Sequence, residues 1–478
     1  MKQDEKQAIT TETKQKLVSI IMLSHNVGEV TRMCVESIQR NVTISYEILV
    51  IDNGSDQKTL EILKALQGIR LIQNEENKGF PAGCNQGMKE AGGELLWFLN
   101  NDTIVTPGAL ERMVELLVSD EKNGIVGPVT NAISGKQEIP VDYPFERGKV
   151  TTDWQMIDAF AKKWCEAHAG ETQRMIRLIG FSMLMRRRDL KKMGGFDERM
   201  GIGTFEDDSL SLRFVSGGYR LLIARDAFIH HVSSASFLAA GGYPTGGVEN
   251  QITASKTAGM TVPDEVVFND KLMKHLKAGV TRILHVECGG GALGLWAEEN
   301  GIYAEALESD VRKATVAKNH YPKLTQYLPG EVFSYDTSEI EAVIAEKQYD
   351  SEQTLILMKS LAENMKEGTQ VLIQVPKITA INGCCMLACA EYWEEEGYRP
   401  LRGNFDQLRF LEGMAELGLE LKNYFRVEPK RGFFKSNAFR RQKEAYEKEA
   451  VLQKREEQKG KLDFFKEDTY VFEKYAKN

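Results

Sequence analysis

Three segments carry residue types that can manage a cation and a proton. The first is Asn100-Asn101-Asp102-Thr103, which follows the apolar run 94–99 (ELLWFL). A carboxylate there can hold a hard cation through oxygen, or cap the helix that TIVTPG introduces. The second is Phe205-Glu206-Asp207-Asp208. Three adjacent acids repel one another, which costs stability unless a cation or a task compensates. The helix that 209–213 (SLSLR) suggests would favour acids at its N-terminus, which accounts for one or two of them. The third is His230-His231, after the strand-like 227–229 (AFI). Imidazole is a common ligand for a divalent transition metal, although a lone His is more often a packed residue. Such a set can supply a Lewis acid and a base for a reacting hydroxyl.

The elements around these residues alternate. Strands are expected at 18–23, 46–52, 69–73 and 94–99, with helices at 29–37, 58–66 and 82–91 between them. That order implies parallel βαβ units. Ligands of such sheets collect at the carboxyl ends of the strands. Ser24-His25-Asn26, Asp52-Asn53-Gly54-Ser55 and Asn100-Asn101-Asp102 therefore share one crevice.

At 478 residues the chain has room for two to four domains, and 42% hydrophobic against 27% charged residues excludes a disordered or fibrous chain. A net charge of −8 argues against a nucleic-acid partner. No apolar run approaches the ~18 residues of a spanning helix, and the polar start has no signal-peptide core. Seven Cys without a CxxC pair support neither a disulfide framework nor a zinc ribbon, and point to a reducing cytoplasm. We divide the chain into a flexible leader (1–16), a first domain (17–245), a linker (246–279) entered from the Gly-rich segment 239–247, a second domain (280–428) and a charged helical tail (429–478).

Over residues 17–237 the order VSIIMLSHN, ILVIDNGSD, NKGFPAGCNQG, LLWFLNNDTIV, RLIGFSMLMRRRDLKKMGGFDERMGIGTFEDDSLSLR and IHHVSSAS resembles the family-2 glycosyltransferases, which have the GT-A fold. The resemblance implies a nucleotide-sugar-binding domain with a mostly parallel sheet and helices on both faces. It implies Mn²⁺ or Mg²⁺ on Asp102, with Asn101 alongside and His231 completing the site. His231 lies five before Ser236, the family's usual spacing, and His230 is the fallback. Asp207 would be the general base and Glu206 its neighbour. His25, Asp52, Asn53, Asn77, Gly79 and Asn85 would line a UDP-, dTDP- or GDP-linked donor. Where many members have a further acid two after the base, this chain has Ser209, with Asp208 as substitute.

The second domain opens on 283–294 (ILHVECGGGALG), a strand running into a Gly-rich turn, and Glu308 ends the next strand at 304–307. It resembles the class I S-adenosylmethionine-dependent methyltransferases, a Rossmann-like fold. The family's acid and first Gly are replaced by His285 and Glu287, and the strand expected after 349–350 is shortened. A non-catalytic domain, serving dimerisation or acceptor binding, is the expectation.

The function expected is a metal-dependent inverting glycosyltransferase acting on a glycan or protein hydroxyl, as in surface polysaccharide or flagellin-type glycosylation, in the cytoplasm or at the inner membrane face. The alternative is an S-adenosylmethionine-dependent methyltransferase whose first half recognises a glycan. The charged tail permits self-association into a homo-oligomer.

Overall fold

The chain forms two units, Met1–Ala254 and Ser255–Asn478. The computed structural model describes residues 17–150, 153–233, 247–260, 262, 266, 270–346, 350–376, 407–427 and 467–474. The leader, Ser236, most of the Gly-rich segment 239–247, and residues 428–466 of the second domain's end and tail lie outside them.

The first unit is built on strands β1 (Val18–Ser24), β2 (Tyr46–Asn53), β3 (Ile69–Asn74) and β4 (Leu95–Leu99), with helices α1 (Gly28–Asn41), α2 (Gln57–Ala65) and α3 (Phe80–Glu90) between them. Almost every residue of β1 and β4 is buried, as expected of strands covered on both faces. α3 packs directly on β1: a Cβ on Gly87 would stand 2.4 Å from Ile21 Cγ2. Four parallel strands align in the order β3-β2-β1-β4. Their register sets Ser24 beside Asp52 and Asp52 beside Gln73, so three carboxyl ends are level.

Beyond β4 the sheet is mixed, not parallel throughout. β5 (Thr103–Val105), α4 (Ala109–Val118), β6 (Asn123–Val129), α5 (Trp154–Ala167), β7 (Thr172–Met175), β8 (Ser182–Arg186), α6 (Arg187–Lys192), α7 (Glu206–Ser216) and β9 (Arg220–His231) complete it. β8 runs antiparallel to β4 and β6, and β9 lies parallel to β6 but antiparallel to β5 and β7. The strand expected at 227–229 is the end of this twelve-residue β9. Trp97 is fully buried, and its indole N–H donates to Ser182 Oγ at 2.9 Å, so no polar atom is stranded there.

Helix α8 (Gly247–Ala258) crosses the division, so the linker expected at 246–279 opens on a helix. The second unit continues with α9 (Asp270–Met273), β10 (Arg282–Val286), α10 (Ala292–Glu299), β11 (Tyr303–Glu308), α11 (Val311–Ala317), β12 (Lys323–Gln326), β13 (Ala342–Ala345), α12 (Ser351–Ala362), β14 (Gln370–Pro376), α13 (Gln407–Glu416), β15 (Leu419–Val427) and β16 (Glu467–Lys474). The strand order is β12-β11-β10-β13-β14-β16-β15. The first five are parallel; β16 lies antiparallel between β14 and β15.

Two expectations are corrected here. The strand thought shortened after 349–350 is present earlier, as β13, where four buried apolar residues (AVIA) leave no polar face to betray an alternating pattern. The tail is not wholly helical: residues 467–474 pair with β14 and β15. The described cysteines, Cys34, Cys84, Cys165 and Cys288, are buried free thiols. Among the described residues no helix is long and apolar enough to cross a membrane.

Candidate active site

Asp102 leaves β4 in a tight turn tied by Asn100 N–H to Phe181 O at 2.8 Å and by Thr103 Oγ1 to Asn100 O at 2.8 Å. β5 then pairs antiparallel with the end of β9, with Thr103 opposite His231. This register brings Asp102 Oδ1 to 3.1 Å from His231 Nε2, both residues being buried. His231 Nδ1 lies 2.8 Å from the carbonyl of Ala132 and therefore donates to it. Nε2 and Oδ1 would then be two facing acceptors, so a proton or a cation must lie between them. Burial lowers the His231 pKa, the charge of Asp102 raises it, and the net shift is upward. The Asn131 side chain grips the His231 backbone, accepting its N–H at 2.8 Å and donating to its carbonyl at 3.1 Å. Phe181 stacks on the imidazole at 5.3 Å.

His230 alternates to the other face of β9, as the strand period requires. Its Nδ1 is 2.8 Å from the Tyr143 hydroxyl, and burial pushes its pKa down to about 4. Asn101 donates to Thr31 Oγ1 of α1 at 2.8 Å. Among the described residues no group of three His, Cys, Asp or Glu could hold a metal. A carboxylate oxygen and an imidazole whose second nitrogen is fixed by a carbonyl nevertheless form a fitting donor pair for a divalent cation that draws its remaining ligands from a diphosphate.

The three adjacent acids meet three different fates in the first turn of α7. Asp207 turns to the strap 177–181, accepting Gly180 N–H on Oδ2 at 2.8 Å and Asp208 N–H on Oδ1 at 2.9 Å. Carboxylate oxygens have two acceptor sites each, so room for another proton donor remains. Asp208 forms an ion pair with Arg177 at 2.5 Å; burial and Asp207 push its pKa up, and the guanidinium opposes them. Leu178 N–H donates to Ser211 Oγ at 3.2 Å. Gly180 thus carries Asp207 while its neighbour Phe181 carries His231, which joins both halves of the site. Ser209 Oγ is buried with no hydrogen-bond partner.

Glu206 is buried with Oε2 lacking any hydrogen-bond partner, and burial, with the charge of Asp207, pushes its pKa up to about 8. A carboxyl that binds its proton more tightly folded than unfolded stabilises the fold fully below its unfolded pKa of about 4.5. That contribution fades as pH rises through about 8. The melting temperature of the ligand-free protein is therefore expected to fall between pH 5 and pH 8, and Glu206→Gln to flatten that slope. An unchanged slope by calorimetry would refute this assignment.

At the other strand ends, Asp52 is 1% exposed, and its Oδ1 has no hydrogen-bond partner. Its Oδ2 accepts Ser55 N–H at 3.4 Å. Half-buried His25 has Nδ1 2.9 Å from Asn53 O. Asn53 donates to Gly79 O at 3.2 Å and accepts from Asn74 at 2.9 Å. Gly79 has φ 83°, and a Cβ there would stand 2.0 Å from Gly201 O, so no other residue fits. Exposed Asn77 accepts Gly79 N–H at 2.9 Å. Asn85 has its amide committed: it donates to Phe196 O and Glu198 Oε1 and accepts Phe196 N–H. It therefore braces segment 196–198. Arg177, Gly180, Phe181 and Asn131 were not singled out in the sequence. The first three lie in RLIGF, which opens the same segment that carries the acid motif, but their contacts with Asp207, Asp208 and His231 are set by the tertiary structure.

Residues 19–193 match the family model described as Glycosyl transferase family 2. The "Uncharacterized glycosyltransferase YwdF" of Bacillus subtilis is 30% identical over 132 residues, 24% of this chain and 48% of that protein. The "UDP-Glc:alpha-D-GlcNAc-diphosphoundecaprenol beta-1,3-glucosyltransferase WfgD" of Escherichia coli is 29% identical over 130 residues, 26% of this chain and 51% of that protein. The chain thus spans about half the length of these relatives. A solved structure described as GalNAc-T7 with UDP, GalNAc and Mn²⁺ aligns over 48% of this chain and 52% of its own, at 18% identity and a TM-score of 0.36.

Proposed function

From a chain whose N-terminal half carries a family 2 glycosyltransferase domain, we propose a metal-dependent transfer of a sugar from a nucleotide diphosphate sugar to a hydroxyl of a glycan or protein acceptor, with inversion at the anomeric carbon. The observation that carries it is the buried Asp102–His231 pair at 3.1 Å, linked through Phe181 and Gly180 to Asp207.

Asp52 Oδ1, buried and unpaired, is suited to accept an N–H or O–H of the nucleoside. Uridine is our first choice of base, by analogy with the donor in the WfgD name. Asp102 and His231 would hold Mn²⁺ or Mg²⁺, which when bound neutralises charge on the leaving diphosphate. Asp207 takes the proton of the acceptor hydroxyl as it attacks. Phe181 and the buried β5–β9 ends exclude water from the pair, which strengthens its charge interactions.

For the second unit we propose a methyltransferase-like domain that does not transfer methyl groups. In its favour is a doubly wound sheet with its switch point between β10 and β13, where such folds bind ligands. Glu287, at φ 54°, occupies the carboxyl end of β10, accepting from the Tyr327 hydroxyl and from Ser309 Oγ. Glu308, at the end of β11 where an acid in such folds can hydrogen-bond a ribose, accepts the N–H groups of Gly289 and Asp310. A cofactor would have to displace these contacts.

Incubation with UDP-, GDP-, dTDP- and CMP-sugars and Mn²⁺ should give slow release of one nucleotide, abolished by EDTA. Neither release nor binding of any donor by calorimetry would overturn the reading.

A further inference from the structure

Thr204 and Phe205, immediately before Glu206, both hold left-handed backbone angles, φ 87° and 65°. Two consecutive non-glycine residues there persist only where the surroundings over-determine them. On the near side Gly201 and Gly203 are also left-handed. One face of this turn is fixed by α3: Phe80 N–H donates to Ile202 O at 3.1 Å, and Gly79 abuts Gly201.

The other face is fixed by Asn250 on α8, beyond the residues that match the family model. Its Nδ2 donates to the carbonyls of Met200 and Gly203, each at 2.7 Å, with Thr204 Oγ1 at 3.2 Å. A side-chain amide has two N–H groups, and both are aimed into the turn. We propose that Asn250 is a positioning residue for the transfer reaction: by clamping the carbonyls of Met200 and Gly203 it holds the strained turn that directs Glu206 and Asp207. The inference rests on Asp207 acting as the base.

Asn250→Ala removes the clamp and lets Thr204 and Phe205 relax toward right-handed angles, which swings the acids. The donor contacts at Asp52 are untouched. The kcat for transfer should fall roughly 10- to 100-fold, as misplacement of a reacting group does, with donor affinity unchanged. Asn250→Asp should do worse, because a carboxylate would face two carbonyls. Thr204→Gly added to Asn250→Ala should recover part of the loss, since glycine holds φ 87° without strain. A merely structural role would not give that rescue.

Hydrogen exchange over residues 200–209 is the activity-independent readout, and exchange should rise in Asn250→Ala. Unchanged exchange overturns the clamp. An unchanged kcat in Asn250→Ala, where Asp207→Asn lowers it, overturns the positioning role. Raised exchange with no turnover even in the wild type would keep the clamp and overturn its role in transfer, a failure of the functional reading.

Discussion

Asp207→Asn should lower the rate of sugar transfer by about 10²–10⁴-fold, the usual contribution of a positioned general base. Donor affinity should stay within a few-fold, because the Asp52 end of the crevice is formed by other strands. The amide keeps the size of the carboxylate but not its basicity. It also turns one N–H toward either Gly180 or Asp208, whose own N–H groups now donate to Asp207. A thermal melt beside the kinetics separates that local repulsion from lost catalysis. If Asp207→Asn retains transfer while Glu206→Gln loses it, the roles of the two acids are exchanged. Geometry favours the present assignment: the N–H groups of Gly180 and Asp208 aim the Asp207 carboxylate, whereas Glu206 Oε2 has no partner to aim it.

Asp102→Ala, and EDTA on the wild type, should each reduce transfer by on the order of 10³-fold. Charge neutralisation at the leaving group is worth several kcal/mol, and about 1.4 kcal/mol corresponds to a factor of ten. The variant leaves His231 facing a cavity where a carboxylate stood at 3.1 Å. Mn²⁺ binding should weaken in parallel, measured by calorimetry with UDP present so that the diphosphate can complete the ligand set. Retained Mn²⁺ affinity in Asp102→Ala would remove Asp102 from the metal site, whatever the rates showed. His231→Ala should match Asp102→Ala; His230→Ala should not, since its ring meets Tyr143 on the opposite face of β9.

The order of the motifs, and the ends of β1, β2 and β4, could be read directly from the chain. Short-range rules suffice there: apolar runs form buried strands, and polar residues directly after them fall at the crevice. The Asp102 and Asp52 positions follow from that alone. The alternation of a strand also assigns His230 and His231 to opposite faces, but not which face meets Asp102.

That choice belongs to the tertiary structure. Asp102 and His231 stand 129 positions apart, and only the antiparallel β5–β9 register, with Thr103 opposite His231, sets them together. The division of labour among Glu206, Asp207 and Asp208 is equally invisible locally. One has an oxygen without a hydrogen-bond partner, one is bonded to Gly180, and one is paired with Arg177, a residue 31 positions away. The family resemblance implies Asn85 at the donor; that its amide bonds Phe196 and Glu198, more than 100 residues on, is decided by the tertiary structure. In the second unit the Gly-rich turn was legible, whereas the Tyr327 and Ser309 contacts that fill it through Glu287 were not. Sequence periodicity reports which residues are buried and where a strand ends. Which buried polar groups face one another depends on long-range register, and that register is decided by packing the whole sheet.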